Sequence, residues 1–188
     1  MRCGLAWEDA EARAIARLLA SPPFVGRVAP VVTLSVDASD IYPATHWAIR
    51  GTPPAYDTPD EDVYLEGRNI VLISKAAVLC ARLKIEQLAI GTLAGNPFPD
   101  ATPEFLDAIS RAMSLGLARP FRVVAPLSHF HKEDVVRLGR SLGVRLELTL
   151  SCMNPALDGS PCGRCSKCRE RDDAFRVADG PVSDSSVG

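Results

Sequence analysis

The chain has 188 residues, 47% of them hydrophobic, with 21 basic and 23 acidic residues and a formal net charge of -2. That content can build a full core in one domain with a small appendage. A balance this close to neutral excludes a global field that would recruit nucleic acid or anionic membrane. No stretch approaches the ~18 apolar residues of a membrane span. Glu8, Asp9 and Glu11 interrupt the place where the apolar run of a signal peptide would lie. The chain therefore reads as cytoplasmic, where disulfides are rare and clustered cysteines favour metal.

Trp7, Ala10, Ala14, Ile15, Leu18 and Leu19 recur at helical spacing and predict a helix over 7–20. Its acidic first turn suits the positive end of the helix dipole, and Ser21-Pro22-Pro23 stops it. The β-branched run 30–36 predicts a strand. Residues 37–66 mix Pro43, Pro53, Pro54 and Pro59 with Asp37, Asp40, Asp57, Asp60, Glu61 and Asp62, and read as a long loop of the functional or disordered kind. From Asn69 to Leu83 the chain is apolar nearly all round, which predicts a helix set deep on a sheet, with Cys80 as a small core residue. Leu88 to Ile90 predicts a strand that ends at Gly91. Thr102-Pro103-Glu104 starts a helix, with Thr as cap and Pro in the first turn, and Gly116 ends it. A strand over 121–124, an amphipathic helix over 132–142, a last strand over 144–150 and a short helix over 165–175 follow. The Ser-, Asp- and Gly-rich tail from Asp179 reads as disordered. The alternation predicts an α/β fold, a doubly wound parallel sheet with helices on both faces. Ligands of such sheets bind beyond the carboxyl ends of the strands, here the loops after Val36, Ile90 and Val124.

Cys152, Cys162, Cys165 and Cys168 form the pattern C-x9-C-x2-C-x2-C. Two overlapping C-x2-C turns deliver three thiolates to one ion, and Cys152 closes a tetrahedron. Such a closed site is structural and suits zinc. The competing iron–sulfur signature needs a further x3-C-P, which does not follow Cys168. Arg164, Lys167, Arg169 and Arg171 are placed to offset the net charge of -2 that four thiolates leave on a divalent ion. Elsewhere the readings stay open. Gly67, Arg68 and Asn69 head the apolar helix and can bind a phosphate, or can be a glycine turn, a cap and a solvated arginine. The loop after Gly91 offers Asn96, Asp100 and Glu104 above a strand end, as a substrate pocket or as plain helix capping. His46, His129 and His131 are loop histidines to which the sequence assigns no role. No nucleophile elbow, Walker lysine loop or zincin helix is present in these residues.

Taken in order, the runs Glu66-Gly67-Arg68-Asn69, Phe98-Pro99-Asp100-Ala101-Thr102-Pro103-Glu104-Phe105, Pro126-Leu127, Lys132 to Gly139, Leu148 to Cys152 and the cluster Cys162–Cys168 resemble the 7-cyano-7-deazaguanine synthase family of the queuosine pathway, within the PP-loop ATP pyrophosphatase (adenine-nucleotide alpha-hydrolase) superfamily. The resemblance covers about residues 3–178. It implies a cytoplasmic ligase that uses ATP with Mg2+ to activate 7-carboxy-7-deazaguanine. Ammonia then forms an amide, and a second ATP-dependent step dehydrates it to the nitrile. It also implies structural Zn2+ on the four cysteines, a homodimer, Gly67, Arg68 and Asn69 by the nucleotide, and Gly91 and Asp100 on the substrate side. Phe98 stands where many members have Tyr. The family's Ser-Gly-Gly-x-Asp-Ser pyrophosphate loop does not occur in the sequence. The expected division is therefore a partial nucleotide domain over 1–150 lacking the first strand and that loop, a zinc segment over 151–178 and a tail over 179–188. Three readings follow: a ligase whose gene starts further upstream, a non-catalytic zinc-stabilised relative that binds a small ligand or a partner chain, and a nucleic-acid-binding zinc ribbon. The interleaved Glu170, Asp172 and Asp173 argue against the last.

Overall fold

The computed structural model describes residues 1–38 and 40–180. In chain order the helices are α1 (Glu8–Leu19), α2 (Trp47–Arg50), α3 (Arg68–Arg82), α4 (Pro103–Gly116), α5 (Lys132–Ser141) and α6 (Ser166–Asp179), and the strands are β1 (Gln87–Ala89) and β2 (Arg122–Val124). Two compact units, each built from separated stretches, account for these elements. The tail expected to be disordered falls on residues 181–188, outside the described residues.

The first unit comprises residues 1–4, 32–42 and 59–130. Its centre is the parallel pair β1–β2, in register Gln87 with Arg122 and Ala89 with Val124. The crossover between them is α4, as a parallel connection requires. Ile73, Ala77 and Cys80 from α3, Leu106 and Ile109 from α4, and Phe121 and Val123 form the core. The α3 contribution is a stripe at i, i+4 and i+7. The sequence expectation of all-round burial is corrected here: Ile70 and Val78 stay about half exposed, at 48% and 52%.

The two edges of the pair differ. Ser110 and Ser114, one turn apart on α4, accept the backbone N–H groups of Val123 and Phe121 through their hydroxyls, at 2.9 and 3.1 Å. Ser114 also donates to the Phe121 carbonyl. The outer edge of β2 is thus closed by side chains. On β1 the residues bonded to β2 are the even ones, as the Arg122-to-Glu86 and Ile90-to-Val124 bonds show. Gln87 and Ala89 therefore turn their N–H and C=O groups outward, and both residues are exposed.

The strand expected over 30–36 reduces to one parallel bridge, Ser35 with Arg2. Arg2 donates to Leu34 and receives from Val36, both at 2.8 Å. Val31 and Val32 are 59% and 60% exposed. β-Branched composition makes a strand only where a neighbour supplies the ladder.

The second unit comprises residues 5–31, 43–58 and, among the described residues, 131–180. Trp7, which precedes α1, stacks on Trp47 of α2 with centroids 5.8 Å apart. His46 caps α2, its Nδ1 accepting the Ala48 N–H at 3.2 Å. At the start of α5, the His131 N–H donates to the Asp134 carboxylate at 3.0 Å. Helices α5 and α6 pack together, with Phe175 of α6 under both Arg140 and Arg171. The strand expected over 144–150 is instead a 3-10 turn over Leu146–Leu148. Side chains take its backbone: the Leu146 carbonyl accepts from Thr149 Oγ1 at 2.6 Å and from Arg171 Nη2 at 2.8 Å. No helix among the described residues is long and apolar enough to cross a membrane.

Candidate functional site

Helix α3 runs back along β1, so its N-terminus lies at the carboxyl end of the strand. Gly67 at φ 69° sets the turn into the helix, a left-handed conformation that favours glycine. Asn69 in the first turn is fixed from 31 residues away. Its backbone N–H donates to Asp100 Oδ2 at 2.9 Å. Its Nδ2 donates to the Asp100 backbone carbonyl at 3.1 Å and to Oδ1 at 3.3 Å. Asp100 is buried, 4% exposed, in the 3-10 turn Pro99–Ala101. A carboxylate at a helix N-terminus meets both the unpaired N–H groups and the positive end of the dipole. Hydrogen bonds to a charged group contribute about 1.5–3 kcal/mol each. This lock holds the loop after β1 against the start of α3.

Sequence reasoning placed Asn69 and Asp100 on different ligands; the structure bonds them to each other. The backbone N–H and the side-chain Nδ2 of Asn69 are both taken up by Asp100, which leaves Arg68 as the charged side chain of this helix start. Around it lie residues no spacing rule singled out. The Tyr42 hydroxyl donates to the Glu66 carbonyl at 2.9 Å. Burial pushes the Tyr42 phenol above its usual range, Arg68 pulls it back, and Cys3, Asp100 and Glu66 add to the rise. Tyr64 stacks on Phe98 with centroids 5.0 Å apart. The one available signal for this group was its family motif; Tyr42 carried none.

Gly91, just past β1, faces open space: a Cβ there would meet no atom within 4 Å. Among the described residues it is not hydrogen-bonded to the Asn69–Asp100 pair. Asn96 turns inward on its own loop, accepting the Phe98 N–H at 2.9 Å. Thr102 caps α4 by accepting the Phe105 N–H at 3.2 Å, as its sequence position predicts.

The second centre lies in the second unit. The four Sγ atoms of Cys152, Cys162, Cys165 and Cys168 all lie within 4.8 Å of one another. The Cys162–Cys168 and Cys165–Cys168 sulfurs are 4.0 and 3.6 Å apart. A tetrahedron with metal–sulfur bonds of about 2.3 Å has edges of roughly 3.8 Å, so the set fits one ion of zinc size. Cys152, Cys165 and Cys168 are buried. Gly163 takes φ 68° in the C-x2-C turn.

Backbone donors serve the sulfurs. The N–H groups of Asn154 and Cys162 both reach Cys152 Sγ at 3.3 Å. Burial raises the Cys152 thiol to about 12 against these hydrogen bonds. It also raises the Cys168 thiol. Cys162, the most exposed of the four, runs the other way: its burial acts upward, but hydrogen bonds from the Arg164 N–H and from the Cys152 and Cys165 side chains outweigh it and bring the thiol to about 7. Four thiolates in one pocket repel, and a divalent cation reverses that balance.

The cations expected to offset this charge are largely engaged elsewhere. Arg169 donates to the Thr58 carbonyl at 3.1 Å, Arg171 to Thr149 and Leu146, and Lys167 to Glu170. Lys132 also pairs with Glu170, at 2.6 Å. Backbone N–H groups and the N-terminus of α6, which Cys165 caps, are what face the sulfurs.

The profile of the family described as queuosine biosynthesis protein QueC matches residues 52–179. That span includes Arg68, Asn69, Gly91, Asp100 and all four clustered cysteines. A 7-cyano-7-deazaguanine synthase of Methanopyrus kandleri is 34% identical over 178 residues, covering 83% of this chain and 78% of that protein. Its namesake in Pseudomonas fluorescens is 34% identical over 132 residues, covering 65% of this chain and 59% of the relative. The one in Methanoculleus marisnigri is 40% identical over 117 residues, covering 60% and 52%. The chain thus spans from about half to about four-fifths of the length of these relatives.

Proposed function

The chain belongs to the QueC family of queuosine biosynthesis proteins, and from that premise we propose that it is an ATP-dependent carbon–nitrogen ligase, converting 7-carboxy-7-deazaguanine and ammonia to 7-cyano-7-deazaguanine. The observation that carries this reading is the Asn69–Asp100 lock, which holds Arg68 and the loop after β1 in one fixed arrangement at the carboxyl end of a parallel strand. Such strand ends are where nucleotides and substrates bind in α/β sheets.

In this reading the layout is the doubly wound one of the superfamily, ATP enters with Mg2+, and Arg68 faces its phosphates. Asn69 and Asp100 are positioning residues that keep Arg68 and the substrate loop in register. Gly91 admits the substrate's planar ring close to the backbone. The substrate carboxylate attacks ATP and acquires a leaving group; ammonia adds at that carbon and expels it as the amide forms. The amide oxygen is activated by a second ATP and leaves in turn, so the nitrile results with both carboxylate oxygens carried off on transferred groups. Cys152, Cys162, Cys165 and Cys168 hold Zn2+, which fixes the C-terminal wall and takes no part in the chemistry. The working protein is a cytoplasmic homodimer.

The test is calorimetric titration of the metal-loaded chain with ATP–Mg2+, followed by mass spectrometry of a mixture with ammonium and the deazaguanine carboxylate. Saturable ATP binding that Arg68→Ala weakens tenfold or more, with ATP-dependent nitrile formation, is the expected result. A folded, metal-loaded chain that binds no ATP overturns ATP-dependent catalysis by these 188 residues.

A further inference from the structure

Thr92 is 7% exposed, and its Oγ1 is buried without a hydrogen-bond partner among the described residues. A buried hydroxyl left unpaired is penalised relative to an apolar group of the same shape. Valine has that shape. A protein that keeps threonine at such a position tolerates a penalty in the ligand-free state, and buried unsatisfied polar groups call for an explanation of this kind.

The position supplies one. Thr92 follows Ile90, whose N–H makes the last ladder bond to Val124 at 2.9 Å, and Gly91, which fronts open space. Two residues on, Ala94 donates to the Phe130 carbonyl at 3.0 Å, which joins the loop after β1 to the loop after β2. Thr92 is therefore pinned between a strand end and a loop-to-loop bond. Its side chain sits at the carboxyl ends of the two parallel strands, where ligands of such sheets lie. The same loop continues to the buried Asp100, so its path is fixed at both ends.

We propose that Thr92 is a substrate-binding residue whose Oγ1–H donates to an acceptor oxygen of the carboxylate-bearing heterocycle. This rests on the ligase reading above and adds a specificity residue to its site. In the free protein the hydroxyl has no partner; on binding it gains one.

The experiment compares the wild type with Thr92→Val, which keeps the shape and removes the donor, and Thr92→Ser, which keeps the donor. Ligand-free Tm and the calorimetric Kd for the deazaguanine carboxylate, with and without ATP–Mg2+, are read for each. Thr92→Val is expected to weaken the carboxylate roughly tenfold, to leave ATP binding unchanged, and to hold or raise the ligand-free Tm. Thr92→Ser restores most of the affinity. Equal carboxylate affinities in all three proteins overturn the role of Thr92 while the ligase reading stands. A lower ligand-free Tm in Thr92→Val with unchanged affinity shows a structural hydroxyl, and also overturns it. A wild type that binds ATP but no carboxylate overturns the substrate assignment of both.

Discussion

The two polar centres of this chain are built on opposite principles. The cysteine cluster draws three of its four ligands from seven consecutive positions, Cys162 to Cys168, and its geometry is set by the turns of that short run. The centre at the start of α3 joins Asn69 to Asp100 across 31 residues. It stands only because α3, β1 and the turn before α4 are already packed. In the first, local chain geometry makes a site that can hold one ion. In the second, the fold makes the site and one carboxylate secures it. A site of the first kind depends on its ion for stability, whereas one of the second kind depends on its neighbours.

Removing the ion is the strongest way to test that contrast. Chelation, or Cys165→Ser, withdraws folding energy on the order of 10 kcal/mol. The expected result is loss of hydrogen-exchange protection over residues 152–179, with the core of α3, α4 and β2 retaining more of its own. Equal loss in both regions would break the distinction.

A smaller effect is expected at the other centre. Asp100→Ala removes the carboxylate acceptor of the Asn69 N–H and one of the two acceptors of its side-chain amide, which keeps the Asp100 backbone carbonyl, at about 3 kcal/mol. For a chain of this size that corresponds to a fall in Tm of roughly 6–12 °C. Unchanged Tm with lost ligand affinity would instead make Asp100 a direct ligand contact.

The smallest effect is a pH dependence. Tyr42 has its folded-state pKa raised, chiefly by burial. Its contribution to stability is therefore fully present below the ordinary tyrosine value of about 10 and is lost as pH rises through the higher folded value. Denaturant midpoints from pH 8 to 11 should fall less steeply in Tyr42→Phe than in the wild type. Parallel curves would remove Tyr42 from the half-buried group around Arg68.

The difference between the two centres also explains what the sequence could disclose. Cysteine spacing announces a tetrahedral site because the ligand turns are local. Thr102 as a cap and Gly67 as a turn are legible for the same reason. Asn69 and Asp100 were visible singly, through their family motifs, but no local rule pairs residues so far apart. Residues 30–36 have strand composition yet make one bridge, because a ladder depends on a neighbour that composition does not encode. Residues 144–150 fail as a strand because Arg171 and Thr149 claim the Leu146 carbonyl. Thr92 shows its orphan hydroxyl only once the packing around it is known.

The serine pair of α4 has a directional consequence. With Ser110 and Ser114 occupying the outward N–H groups of Val123 and Phe121 and the Phe121 carbonyl, the sheet has a blunted terminus on that side. On the opposite side Gln87 and Ala89 remain reactive ends in the same sense. Growth of this sheet is thereby biased: an added strand finds its free backbone groups on the β1 flank.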